Sequence, residues 1–364
     1  MIRNKNIVLV SNEPWGYTWY SKHNYAYELS KFNTVLFVNP VHGWHLLNLF
    51  KFKIFLVVIS KNLTVISYNN IFPLRNKFLY NLNNKLVSRL LRKFINKNFG
   101  AIDIFWSFDP HRLSNPDLFN ATSSLFHSVD KYNFVPYGEK ELAVKSNFVI
   151  GVSDLISDIY KPFNKNVFTI PHGISEEEFI PDSEKVKNIT LHNYFLYVGN
   201  IDYRLDFSLI KKLLVKFHHV PFLFIGNIKE ELSANEKELF NNKKYSNVTH
   251  LEALPFKELK NYIHKADLCL APMNQKVNGN TIAHHKIYQY LALGKPILGN
   301  EFSDYAGFKE LFYMSNDAEK LLEMTEQFLK TGESEALKNK RIQLAEKNKF
   351  EVLLSRIAEK INEQ

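Results

Sequence analysis

Short, uninterrupted apolar runs that stop abruptly at polar residues recur along the chain, and they constrain the fold more than any other feature. Ile7 to Val10 (IVLV) closes on Ser11, and Val35 to Val38 (VLFV) closes on Asn39. A strand wetted on one face alternates apolar with polar residues, whereas a continuous run implies cover on both faces, as in a parallel sheet. An aromatic-rich loop, Glu13 to His23, and a helix-like stretch to Lys31 separate these runs, which makes a strand–helix–strand unit. Further runs at Leu63–Ser67, Ile102–Ser107, Ser124–Val129 and Phe148–Val152 extend a first α/β domain. The pattern restarts at Tyr194–Val198. A helical spacing over Phe207–Phe217 follows, then runs at Phe222–Ile225, Val248–Leu251, Leu268–Pro272 and Pro296–Gly299, with a helix over Ile282–Leu293 before the last. Two consecutive domains result, over residues 1–172 and 173–345, with a charged helical tail at 346–364.

The 364 residues carry a net charge of +9, and its placement is uneven. Leu29 to Ile102 holds eleven Lys and Arg and no Asp or Glu, so the basic excess lies in this one stretch. Within it, Leu74–Phe99 repeats Phe78, Leu82, Leu86, Leu90 and Phe94 among seven cations, the pattern of a basic amphipathic helix. Nucleic acid or an anionic membrane surface would each explain such a stretch. Apolar interleaving at Leu46, Leu47, Leu49, Phe50, Phe52, Ile54, Phe55 and Leu56 favours the membrane surface, and no nucleic-acid motif accompanies it. The longest apolar segment, Trp44–Ile59, is interrupted by lysines and too short to cross a bilayer, and the first residues lack a signal-peptide core. The expected location is therefore cytoplasmic, peripheral on the inner face of the cell membrane. A lone cysteine, Cys269, sits in an apolar run and reads as a buried, inert thiol.

Several chemistries lack their motifs. No G-x-G-x-x-G or G-x-x-x-x-G-K-[ST] phosphate cradle occurs, no D-x-D, and no H-x-x-x-H pair among the thirteen histidines. The informative segment is Asn278–Gly299 (NGNTIAHHKIYQYLALGKPILG), where a glycine-containing loop enters a helix that ends at Gly294. A helix start after such a loop suits a diphosphate, and Lys286 and Gln289, three apart, share one face.

The run from Lys286 to Ile297 resembles the nucleotide-sugar motif of GT-B glycosyltransferases, K-x-x-[EQ]-Y-L-A-x-G-K-P-[IV]. Tyr197–Asp202 resembles the opening strand of that family's donor domain, Asn247–Pro272 its base-binding loop and next strand, and Ile170–Phe179 its crossover between domains. The resemblance covers residues 6–355. It implies two Rossmann-like domains, an acceptor domain and a donor domain, with a C-terminal helix crossing back to the first. Many retaining families have Glu where this chain has Gln289. The Lys286–Gln289 pair with Glu252 upstream looks closer to the inverting glucuronosyltransferases of xanthan-type exopolysaccharide assembly.

That resemblance implies contact of Lys286 and Gln289 with the UDP moiety, Glu252 in the preceding loop, and an Asp as general base, best matched by Asp130 in His127–Tyr132. Gly199, Arg204, Met273, Asn280 and His285 complete the expected donor-binding set. Each has a plainer alternative: Asp130 as a helix cap, Arg204 as the partner of Asp206, Gly199 as a turn. Asp109 and His111 form a rival base. Trp15 and His23, in the first loop, are candidates for acceptor contact or for packing. The expected partners are a UDP-sugar donor, a lipid-diphosphate-linked glycan acceptor and an anionic membrane surface, with no nucleic acid, no metal and no cofactor beyond the donor. The alternatives are a retaining transferase of other sugar specificity, or a non-catalytic binding module of the same fold.

Overall fold

A computed structural model describes residues 2–16, 19–41, 51–132, 134, 137–241, 243–278 and 285–363. The chain divides into two compact units, Met1–Pro171 with Phe350–Gln364, and His172–Lys349.

The first unit is built on β1 (Asn6–Val10), β2 (Thr34–Val38), β3 (Ile54–Ser60), β4 (Leu63–Tyr68), β5 (Ile104–Ser107), β6 (Ser123–Ser128), β7 (Phe148–Gly151) and β8 (Val167–Thr169). They lie in the order β3-β4-β2-β1-β5-β6-β7-β8, parallel except for β3, which runs antiparallel to β4. The unbroken apolar runs follow from cover on both faces. Val8, Val10, Leu36 and Val38 pack with Val87, Leu91 and Ile95 of the helix Lys77–Phe99. Ile7, Leu9, Val35 and Phe37 pack on the other face with Tyr25, Leu29 and, from the tail helix Phe350–Asn362, Phe350, Leu353 and Ile357.

Two features differ from the sequence reading. The helix Lys77–Phe99 buries Tyr80, Asn83, Asn84, Val87, Ser88, Leu91 and Ile95, and leaves Phe78 73 % and Leu90 36 % exposed. Residues spaced by four drift around a helix by about 40° per step, so the stripe from Phe78 to Phe94 winds off the buried face. Asn83 and Asn84 replace it because their amides hold neighbouring loops. Asn83 accepts the Ile71 and Phe72 N–H groups, and Asn84 accepts that of Leu113. The second difference is β3, an unpredicted edge strand whose Phe55 to Ile59 are 41–71 % exposed on both faces. The neighbouring Leu46, Leu47, Leu49 and Phe50 lie outside the described residues.

The second unit holds β9 (Phe195–Val198), β10 (Phe222–Ile225), β11 (Val248–Leu251), β12 (Leu268–Ala271), β13 (Ile297–Gly299) and β14 (Tyr313–Met314), all parallel in the order β11-β10-β9-β12-β13-β14. Strand order reverses between β9 and β12, and in open α/β sheets ligands bind beyond the carboxyl ends at that point. Cys269 is fully buried in β12, and burial pushes its thiol far above the ordinary range, which keeps it protonated.

At the carboxyl edge of the first sheet, buried Arg112 fans across four segments. Its Nε donates to Asp109 Oδ2 at 2.6 Å, Nη1 to the Tyr68 hydroxyl at 2.6 Å, and Nη2 to the Ser11 and Val38 carbonyls at 2.5 and 3.2 Å. Replacing Arg112 with Met leaves Asp109 buried without its counter-charge. The expected loss of unfolding free energy is about 3–5 kcal/mol, measured by urea denaturation.

Candidate active site

In the second unit the loops after β9 and β12 are zipped across the switch point. Asn274 N–H donates to the Arg204 carbonyl and Asp206 N–H to that of Pro272, both at 2.8 Å, and Leu205 bridges to Met273. The helix His285–Ala292 docks on the end of β9 through Tyr290, whose hydroxyl accepts the Val198 N–H at 3.0 Å. This docking sets Lys286 over the Tyr197 ring, 4.1 Å from its centroid. Gly199, at φ +135°, makes the space: a Cβ there would stand 3.1 Å from Lys286 Nζ and 3.2 Å from the Tyr197 hydroxyl. Gly199 is thus both the turn and the clearance for a cation.

Lys286 is not a solvated helix lysine. Burial, then repulsion from Arg204, lowers its pKa to about 7, with Asp202 acting the other way. Arg204 pairs with Asp202, not with Asp206: its Nη2 lies 2.6 Å from Asp202 Oδ2, and Asp202 also accepts the Arg204 N–H. This bond holds Asp202 below the usual carboxylate range despite burial. Asp206 instead caps the helix Phe207–Lys216 by accepting the Leu209 N–H.

Gln289 is buried one turn beyond Lys286. His285 points Nε2 at Glu178 Oε1, 3.2 Å away, and its buried Nδ1 meets no hydrogen-bonding group among the described residues. Glu178 is itself buried and fixed by the Ser175 N–H and hydroxyl, each 2.9 Å from its other oxygen. Glu252 lies exposed in the loop after β11, two strands and so about 10 Å from Gly199 by strand spacing. Met273 is packed in the core, a spacer rather than a surface contact. Asn280 and the loop that carries it lie outside the described residues.

In the first unit Asp130 is exposed just beyond β6, and its Oδ1 accepts the Lys131 N–H at 2.7 Å. Among the described residues it caps no helix, the next described helix beginning at Glu139. The rival Asp109 is occupied: Arg112 holds one carboxylate oxygen and the His111 N–H the other at 2.8 Å. His23 is fully buried and both ring nitrogens are engaged, Nδ1 accepting the Tyr20 N–H and Nε2 facing the Pro14 carbonyl. Burial lowers its pKa to about 4, so it stays neutral and clamps the loop. Trp15, partly buried, packs edge-on against Phe37 at 4.9 Å and tilts over Trp19 and His23.

Lys22 escaped the sequence reading. Only 4 % exposed, it contacts Asn12 Oδ1 and lies 5.2 Å from the Tyr20 ring centroid. Burial brings its pKa down to about 8, opposed by Glu13, Asp109 and Asp130. Nothing in a lysine between two aromatic stretches announces its burial. Among the described residues no three His, Cys, Asp or Glu side chains gather as metal ligands.

Comparison with solved structures decides the architecture. The trehalose-phosphate synthase of E. coli bound with UDP-2-fluoro glucose superposes over 98 % of both chains with a TM-score of 0.67 at 13 % identity. The chain has the GT-B fold. A trehalose-6-phosphate synthase studied for glycosyltransfer with retention aligns over 98 % of this chain and 99 % of its own (TM-score 0.67, 13 % identity). The sucrose-phosphate synthase of Thermosynechococcus elongatus covers 99 % of both chains (TM-score 0.66, 14 % identity). In sequence, a Bacillus subtilis protein named as the teichuronic acid biosynthesis glycosyltransferase TuaH is 24 % identical over 139 residues. That match takes in 37 % of this chain and 34 % of TuaH, so the chain spans about a third of the relative it matches. No family model matches.

A diphosphate beside Lys286 would raise its pKa, so binding takes up a proton whenever the free lysine is neutral. UDP affinity should fall as pH rises above 7, as titration calorimetry at pH 7 and 8.5, where the terminal phosphate of UDP is ionised, would measure. Lys286→Met should weaken binding and remove the slope above pH 7.

Proposed function

We propose that this chain is a glycosyltransferase that moves a sugar from a UDP-sugar to a glycan acceptor. The observation that carries this reading is Lys286, a cation with a lowered pKa, seated against Gly199 and Tyr197 at the switch point of the donor sheet. A leaving diphosphate gains negative charge as the glycosidic bond breaks, and a preorganised cation there stabilises it without a metal. The UDP-2-fluoro glucose bound to a structural neighbour and the teichuronic acid assignment of the sequence relative both support a sugar-nucleotide donor.

The finer reading is transfer of glucuronic acid to a lipid-diphosphate-linked glycan in exopolysaccharide or cell-surface synthesis, with inversion. Asp130 takes the acceptor hydroxyl proton, and that oxygen attacks the anomeric carbon. Its exposure favours it over Asp109, whose carboxylate is spent on Arg112. Gln289 in place of Glu supports inversion, whereas the neighbour studied for retention favours a retaining transferase as the second reading. The anomeric configuration of the product, read by NMR, separates them. Asp130→Asn should abolish turnover and leave UDP affinity within about twofold; wild-type turnover would remove Asp130 from the mechanism.

An anionic membrane surface as docking site is supported by β3. Its apolar residues are exposed on both faces, with Lys51, Lys53 and Lys61 exposed around it. An uncovered apolar edge needs a partner. A second copy fits poorly, because laying Phe55–Ile59 antiparallel on itself sets Lys53 opposite Lys61. Anionic head groups meet those lysines favourably, each worth about 1 kcal/mol near the surface. No helix among the described residues is long and apolar enough to cross a membrane. Phosphatidylglycerol vesicles should sediment the protein at low salt. Phe55→Ser with Val58→Ser, or Gln at Arg89, Arg92 and Lys93, should reduce the bound fraction severalfold; unchanged sedimentation sinks the idea.

A further inference from the structure

The first unit has a cleft lined by none of the residues assigned to the transfer chemistry. It encloses about 640 Å³ between the first turns of the helix Lys77–Phe99, the turn after β5 and the segment Tyr137–Glu141. That volume falls within the roughly 300–1,000 Å³ of small-molecule sites.

Its wall is aromatic. The Tyr80 and Tyr137 rings meet at 5.1 Å, and Tyr80, 3 % exposed, is held protonated by burial, its pKa pushed up to about 12. Gly138, at φ +100°, brings the last segment this close, since a Cβ there would stand 2.4 Å from the Tyr80 hydroxyl and the Pro110 carbonyl.

One buried polar atom in this lining has no hydrogen-bond partner among the described residues, Asn115 Oδ1. Asn84, 6 % exposed, accepts the Leu113 N–H with its oxygen and turns its amide to the Tyr80 hydroxyl. A buried acceptor left unpaired is unfavourable, and a ligand that donates to it recovers that loss. Lys77, Lys85 and Lys140 stand exposed at the rim, and none pairs with a carboxylate among the described residues. The one lining acid, Glu141, is engaged by the Ser114 hydroxyl at 2.7 Å and by Lys145 at 3.3 Å.

We infer that this cleft is a binding subsite for an acidic saccharide. A sugar hydroxyl donates as well as accepts, so it can satisfy Asn115 Oδ1. A fully ionised phosphate only accepts and would leave Asn115 unpaired. The Tyr137 ring offers a surface for the apolar face of a sugar, and the lysines meet a carboxylate. Its role rests on the glycosyltransferase reading: the subsite holds an acidic residue of the acceptor chain away from the reacting end. Binding itself does not depend on that reading.

Titration calorimetry of the full chain with trigalacturonate, maltotriose and inorganic phosphate tests this. Trigalacturonate should bind at least tenfold more tightly than either control. Lys85→Glu with Lys140→Glu, both at exposed positions, should weaken it tenfold or more, and Tyr137→Ala likewise, with UDP affinity unchanged. Trigalacturonate binding no tighter than maltotriose or phosphate, or untouched by the lysine replacements, overturns the inference. UDP titrations of the same samples report the donor site separately, so failure of one reading leaves the other standing.

Discussion

A parallel sheet leaves its carboxyl ends open, and in both units of this chain the packing there depends on a cation withdrawn from water. In the first, Arg112 satisfies four acceptors at once and ties the segments after β1, β2, β4 and β5 into one edge. In the second, Lys286 rests on Tyr197 in the clearance left by Gly199. The two solutions differ in what they leave over. A guanidinium cannot lose its proton and has partners enough to be purely structural. An ammonium held over a ring, with Arg204 adding repulsion, keeps unspent capacity for an anion.

That difference separates scaffold from chemistry. Asp109 and Asp130 both follow strands of the first sheet, yet only Asp130 has a carboxylate open to solvent. His23 and His285 are similarly divided: one uses both ring nitrogens within the fold, while the other keeps a buried nitrogen without a hydrogen-bonding group among the described residues. Residue type proposes a role, and the count of satisfied hydrogen bonds disposes of it.

Much of the framework was legible in the chain. Two-sided burial forces continuous apolar strands, so β1, β2, β9, β10 and β12 could be read from runs of four or five residues. The segment from Lys286 to Ile297 stood out through its resemblance to a nucleotide-sugar motif, and it holds the helix that docks on β9. Lys22 was invisible, because burial of a lysine is a property of its neighbours. The Lys77–Phe99 helix was found but its buried face was not, since Asn83 and Asn84 earn their interior places by bonding loops distant in sequence. The edge strand β3 was read as membrane-facing apolar sequence, because exposure on both faces leaves the same continuous pattern as burial on both.

By itself, then, the sequence determined the alternation of elements, the repeat of that pattern in two sheets and the acid-free basic stretch, all consequences of local periodicity and composition. Only the tertiary structure decided which carboxylate stays exposed, that Arg204 closes on Asp202 rather than Asp206, and that Gly199 makes room for Lys286. Those outcomes turn on contacts between residues far apart in the chain, where burial and hydrogen-bond satisfaction, not residue identity, set the charge a side chain can carry.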